Sequence, residues 1–172
     1  MNLKMAASLF IASAILLLSF PGRTFAQEPR IDRLEVVQSG FMTARKTGRT
    51  VEAPGTATGY TVIAADPEFL AEAPADTARV GTLFGARFRV DGQPPGANVT
   101  LRTVWKVPAP GITNPKTGNT YRENVSEVVV KIGEVRTRAY GFEEAWEIAR
   151  GTWTFELWQG DRKLLEQSFT IQ

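Results

Sequence analysis

Apolar and polar residues alternate most cleanly near the C-terminus. Trp153, Phe155 and Leu157 fall on one side of a period-two pattern, and Thr154 and Glu156 fall on the other. After the turn Gln159-Gly160-Asp161-Arg162, the chain returns from Lys163 to Ile171 with Leu165, Phe169 and Ile171 on the same side. This predicts a hairpin. Phe84, Ala86, Phe88 and Val90 alternate with Arg87 and Arg89, which predicts another half-buried strand. Ala97 to Val107 is a further strand, with Val99, Leu101, Trp105 and Val107 inward and Arg102 and Lys106 outward. Strand character resumes from Tyr121 to Ile132. A shorter strand, Val135 to Tyr140, is expected to carry Arg136 and Arg138 outward.

The first half of the chain is less regular. Ile31 to Val37 reads as a strand of mixed alternation, and Thr58 to Ala65 reads as a second, rich in β-formers. The polar stretch between them, Ser39 to Gly55, is expected to be irregular, with a turn at Lys46-Thr47-Gly48-Arg49. Asp66 to Ala78 holds Pro67 and Pro74 among acidic and alanine residues, and is expected to be a loop with one short helical turn. Pro108 to Gly118 contains three prolines and cannot be a central strand. Gly141 to Arg150 reads as a corner. Seven or eight short strands separated by Gly/Pro turns predict an all-β sandwich.

The N-terminus follows a different pattern. Lys4 precedes an apolar run from Ala6 to Phe20, Pro21 and Gly22 break it, and Thr24-Phe25-Ala26 places small residues before a cut. These are the parts of a secretory signal peptide, residues 1–26, cleaved before Gln27. The apolar run falls short of the ~20 residues of a membrane span. No stable span is therefore expected after cleavage, and residues 27–172 are expected to form a single exported domain, periplasmic or extracellular.

Composition then narrows the chemistry. Lys4 and Arg23 leave with the leader, so the 20 Lys and Arg of the chain fall to 18, equal to the 18 Asp and Glu. The basic overall pI is thus no argument for nucleic acid as a partner. There is no Cys, so no disulfide framework, and no His, so no Ser-His-Asp triad or His-based acid–base pair. The same two absences remove the usual zinc, copper and non-haem iron ligands. No metal and no cofactor is expected.

Several phrases carry a likeness: Leu83-Phe84-Gly85-Ala86-Arg87-Phe88, Pro110 to Gly118 (PGITNPKTG), Ile132-Gly133-Glu134, and Trp146-Glu147 followed by Gly151-Thr152-Trp153-Thr154-Phe155. Over Val80 to Ile171 the chain resembles a bacterial family known as domain of unknown function 3859. The resemblance implies an exported bacterial domain with an immunoglobulin-like β-sandwich. It carries no catalytic residues to transfer, and it is weaker from Gln38 to Gly59.

Two functional readings follow from the residues. In the first, the domain is a non-enzymatic binding or assembly module that recognises an envelope protein or glycan through its surface. Outward cations on neighbouring strands (Arg87, Arg89, Arg102, Lys106, Lys131, Arg136 and Arg138) would form a basic stripe if those strands shared one sheet. Trp158 lies on the outward register and is the aromatic expected to meet a partner, unless Leu164 covers it. The loop from Pro108 to Tyr121 adds Asn114, Lys116, Thr120 and Tyr121 as candidate contacts. In the second reading, Glu143, Glu144 and Glu147 beside Trp146 serve a carboxylate-dependent hydrolase acting on envelope glycans.

Overall fold

The computed structural model describes residues 28–172, and the side chains of residues 45–48 and 64–66 are outside that description. The leader and its cleavage point fall on residues outside the described part. Ten strands run in order: β1 (Arg30–Glu52), β2 (Tyr60–Phe69), β3 (Leu83–Gln93), β4 (Asn98–Lys106), β5 (Ile112–Thr113), β6 (Thr120–Tyr121), β7 (Glu123–Lys131), β8 (Val135–Gly141), β9 (Gly151–Gln159) and β10 (Arg162–Ile171). A single 3-10 turn, Ala145–Glu147, interrupts them. Eight strands form two four-stranded antiparallel sheets, ordered β2-β1-β3-β8 and β10-β9-β4-β7, and β5 and β6 form a small ribbon. This is the expected immunoglobulin-like sandwich. The chain crosses between sheets at β3–β4, β7–β8 and β8–β9, which ties the layers together.

Alternation sets the core. Phe84, Ala86, Phe88 and Val90 of one sheet face Leu101, Trp105, Trp153, Phe155 and Leu157 of the other, and all are buried. Phe84 is central: its ring lies 5.6 Å from Trp105, 5.8 Å from Trp153, 5.6 Å from Phe142 and 5.3 Å from Phe169. Trp105 stacks on Phe155 at 4.5 Å, and the Trp153 indole N–H donates to the Ala149 carbonyl at 2.8 Å. Aromatic contacts of this kind add to the area they remove from water.

Three expectations are corrected. First, β1 does not stop near Val37. It continues to Glu52, pairing with β3 up to Met42 and with β2 from Met42 on, with a register shift between Lys46 and Arg49 where a turn was expected. Its described side chains between Thr43 and Thr50 are exposed, so burial imposes no alternation there. Second, β2 runs through Pro67 to Phe69, and residues 70–82 contain no helix. Pro67 is tolerated because β2 is an edge strand. Third, Arg136 and Arg138 do not face outward. Arg138 lies across from Ala86, Tyr140 across from Phe84 and Arg136 across from Phe88. Directly opposed residues share a face, so this parity sends both arginines inward.

A cavity with an inward-facing arginine

At one end of the sandwich the layers part around a cavity of about 370 Å³. Its walls include Ala44 of β1, Leu83 of β3, Trp105 of β4, Asn124 and Ser126 of β7, Arg138 and Tyr140 of β8, and Thr56, Thr58 and Tyr60 on the way from β1 into β2. Glu143 and Glu147 line it as well. The volume is within the usual range for small-molecule sites.

Hydrogen bonds fix these walls. The loop between β1 and β2 lies against β7. The Val125 N–H donates to the Gly55 carbonyl at 2.8 Å, and a Cβ at Gly55 would stand 2.4 Å from the Val125 carbonyl oxygen. Two asparagines from other elements hold Ala57. Its N–H donates to Asn124 Oδ1, and its carbonyl accepts from Asn114 Nδ2 at 2.8 Å. Asn124 Nδ2 in turn donates to the Tyr140 hydroxyl at 3.4 Å, and that hydroxyl donates to Glu147 Oε1 at 3.2 Å. Glu147 Oε2 accepts the backbone N–H groups of Glu143 and Glu144, both at 2.8 Å.

The Glu147 carboxyl is nearly sealed from solvent. Burial pushes its pKa above the usual carboxylate range, against the downward pull of the Glu144, Glu143 and Tyr140 donors. Burial, with the Glu147 charge beside it, also raises the Tyr140 hydroxyl well above its ordinary value. Both oxygens of Glu147 are engaged, so the residue closes the corner as an anchor. Glu143 and Glu144 are exposed.

Arg138 is the unusual member. Its Nε is enclosed and has no hydrogen-bond partner, and among the described residues no carboxylate pairs with it. Burial first, and then the nearby charge of Arg136, pull its pKa from 12.5 down to about 10. It remains a cation at neutral pH.

Of the residues read from the sequence as partner contacts, Arg87, Arg89, Arg102, Asn114, Lys116, Tyr121 and Trp158 all lie outside the cavity. The cations do not form one stripe, because β3 and β8 belong to one sheet and β4 and β7 to the other. Arg87 donates to Thr137 Oγ1 at 3.3 Å and lies over the Phe69 ring at 5.3 Å. Arg89 is paired with Glu35 and, at 3.2 Å, with Asp91. On the opposite face Arg102 lies over Trp158 at 5.0 Å, with Lys163 on the same ring at 5.6 Å. Lys163, not Leu164, stands across from Trp158, because the register shifts between Lys163 and Leu165. The Trp158 indole N–H donates to Glu156 at 3.0 Å. Glu156 points outward and is still only 1% exposed, covered by Lys106 at 2.8 Å and Lys163 at 3.3 Å. Asn114 is buried and structural; beyond holding Ala57, its Oδ1 accepts the Lys116 N–H at 2.8 Å. Lys116 is exposed on that turn, and Tyr121 packs half-buried against the core. Glu143 and Glu147 do reach the cavity; Arg138, Asn124 and Ser126 were missed as cavity residues. The parity of Arg138 with Tyr140 was the available signal.

The solved structures include an immunoglobulin-like protein from Pseudomonas aeruginosa. It is 26% identical, with a TM-score of 0.50, over 85% of this chain and 98% of that one. A β-D-glucoside glucohydrolase from Trichoderma reesei aligns at 10% identity and a TM-score of 0.36, and the match covers 81% of this chain but only 19% of the hydrolase. No curated protein matches the sequence. The model of one family, described as Domain of unknown function (DUF3859), matches residues 59–171, and the chain therefore belongs to that family.

Proposed function

We propose that this domain is an exported, non-catalytic recognition module of the bacterial cell envelope, and that it binds through the cavity at the end of its sandwich. One observation carries the reading: the cavity is preformed, with its walls hydrogen-bonded to one another, yet it keeps an inward cation that no carboxylate among the described residues pairs. Preorganised walls lower the ordering cost of binding. Recognition is thus assigned to a concave site, instead of to a basic stripe across the strands. The hydrolase reading is the weaker one. Acid–base work on a glycoside needs two carboxyl groups with oxygens free for the leaving group and for water or sugar, and Glu147 has committed both oxygens to three donors.

The test pairs the wild type with Ala44→Trp. Ala44 is an exposed residue at the cavity wall, so the indole would obstruct the opening without entering the core. Immobilised wild-type protein is expected to retain an envelope component that Ala44→Trp does not, and neither protein is expected to turn over envelope glycans. Equal capture by both, or glycan cleavage abolished by Glu147→Gln, would overturn the reading. Export is tested by fractionation and N-terminal sequencing, with a mature N-terminus at Gln27 expected.

A further inference from the structure

We infer that the cavity takes a hydroxylated organic carboxylate, the chemical class of a sugar acid, with its carboxylate on Arg138. The inference rests on the recognition reading above and names its ligand.

Arginines that turn into a sandwich usually meet a carboxylate, because an unpaired buried charge is costly. Here the described residues supply none. Of the two carboxylates that line the cavity, Glu147 is held by Tyr140 and two backbone N–H groups and Glu143 is exposed and forms no ion pair with Arg138; the charge that acts on Arg138 is that of Arg136, another cation. Arg136 shares the inner face, two residues along β8. The Nε of Arg138 is an enclosed donor without an acceptor, so a ligand would meet the guanidinium at its outer Nη edge. A guanidinium fork matches a planar carboxylate with two parallel hydrogen bonds. A dianion such as a phosphate monoester would place more charge near Glu143 and Glu147, which line the same cavity, so a monoanion fits better.

The remaining walls describe the rest of the ligand. Tyr60 and Ser126 offer hydroxyl groups, the Thr56 and Thr58 hydroxyls donate to the Ala53 and Tyr60 carbonyls and are left as acceptors, and Trp105 with Leu83 offers an apolar surface for a ring face. Hydroxyl groups beside an apolar wall suit a sugar ring, which is polar at its edge and apolar on its face.

The experiment titrates purified protein with sodium galacturonate, with galactose as the uncharged match and sodium chloride as the ionic-strength match. Binding heat and thermal midpoint are both read. Galacturonate is expected to raise the midpoint by about 3–6 °C at ten times its Kd. Galactose is expected to bind at least about tenfold more weakly, as is galacturonate to Arg138→Gln. Arg138→Lys keeps the charge and loses the fork, so its affinity should fall between the two. A galacturonate response no larger than that of sodium chloride overturns the inference, and so does full affinity in Arg138→Gln. If galactose binds as tightly as galacturonate, or if Ala44→Trp alone loses envelope capture while no sugar binds, recognition through the cavity stands and the carboxylate assignment falls. If every sugar is silent and Ala44→Trp captures like the wild type, both fall.

Discussion

Glu147 should be a structural anchor, and removing it should cost stability in a way that its neutral isostere does not. Glu147→Ala deprives three donors of their acceptor: the N–H groups of Glu143 and Glu144, both at 2.8 Å, and the Tyr140 hydroxyl at 3.2 Å. Hydrogen bonds to a charged acceptor contribute about 1.5–3 kcal/mol each. Two effects reduce the sum. Glu143 and Glu144 lie at an exposed corner, where their N–H groups reach water, and burial already penalises the charged carboxylate, as its raised pKa shows. A net loss of about 2–4 kcal/mol remains. At a urea slope of about 2 kcal/mol/M, the unfolding midpoint should fall by about 1–2 M. Glu147→Gln keeps an amide oxygen for the two N–H groups and removes the buried charge, so it should stay within about 1 kcal/mol of wild type. Equilibrium urea unfolding followed by tryptophan fluorescence reads both. A Glu147→Ala protein as stable as wild type would refute the anchor, and a Glu147→Gln protein as unstable as the alanine variant would show that the charge, not the acceptor, matters.

Glu147 also gives a sign for pH. Its folded pKa lies above the ordinary value, so between those two values the folded state holds more proton than the unfolded state, and its contribution to stability falls as pH rises through that window; Glu147→Gln should flatten this part of the stability curve. Glu156 has the opposite sign. Although burial pushes its carboxyl the other way, the donors Lys106, Trp158 and Lys163 together hold it below the ordinary range, so its contribution is present above that range and is lost as acid titration passes the folded value, a loss that Glu156→Gln should remove. Gly85→Ala should destabilise by about 2 kcal/mol or more, because the new Cβ would stand 2.1 Å from the Arg138 carbonyl oxygen across β3 and β8; thermal unfolding reads it, and an unchanged midpoint would contradict the close strand approach. Arg138→Met should raise the thermal midpoint by a few degrees while abolishing galacturonate binding, because it removes a partly buried cation that no carboxylate among the described residues pairs; lower stability would show that the guanidinium has a partner in the fold.

The parts legible in the sequence were those where burial enforces alternation. Trp153, Phe155 and Leu157 could be placed inward because their neighbours were Thr154 and Glu156, and the structure buries all three completely. The stretch of β1 from Thr43 to Thr50 was not legible, because its described side chains are exposed and strand pairing with β2 leaves no periodic trace. Arg138 was misplaced because charge normally marks the solvent face. The competing signal was position: Arg138 is two residues from Tyr140, and the tyrosine belongs to the aromatic core, 5.9 Å from Phe84 and 4.8 Å from Trp153. The cavity itself depends on distant residues, Ala57 beside Asn114 and Asn124, and no local pattern encodes that meeting. Glu156 shows the reverse case: its outward register was read correctly, but the lysines and tryptophan that bury it come from β4, β9 and β10 together.

The most direct measurement is a crystal structure of the protein grown with sodium galacturonate. The account predicts the carboxylate of the sugar acid seated on the Arg138 guanidinium inside the cavity, with Asn124, Tyr140 and Glu147 holding their mutual hydrogen bonds. An Arg138 side chain turned to the outer face of β8, or a cavity filled by the protein's own side chains, would contradict it.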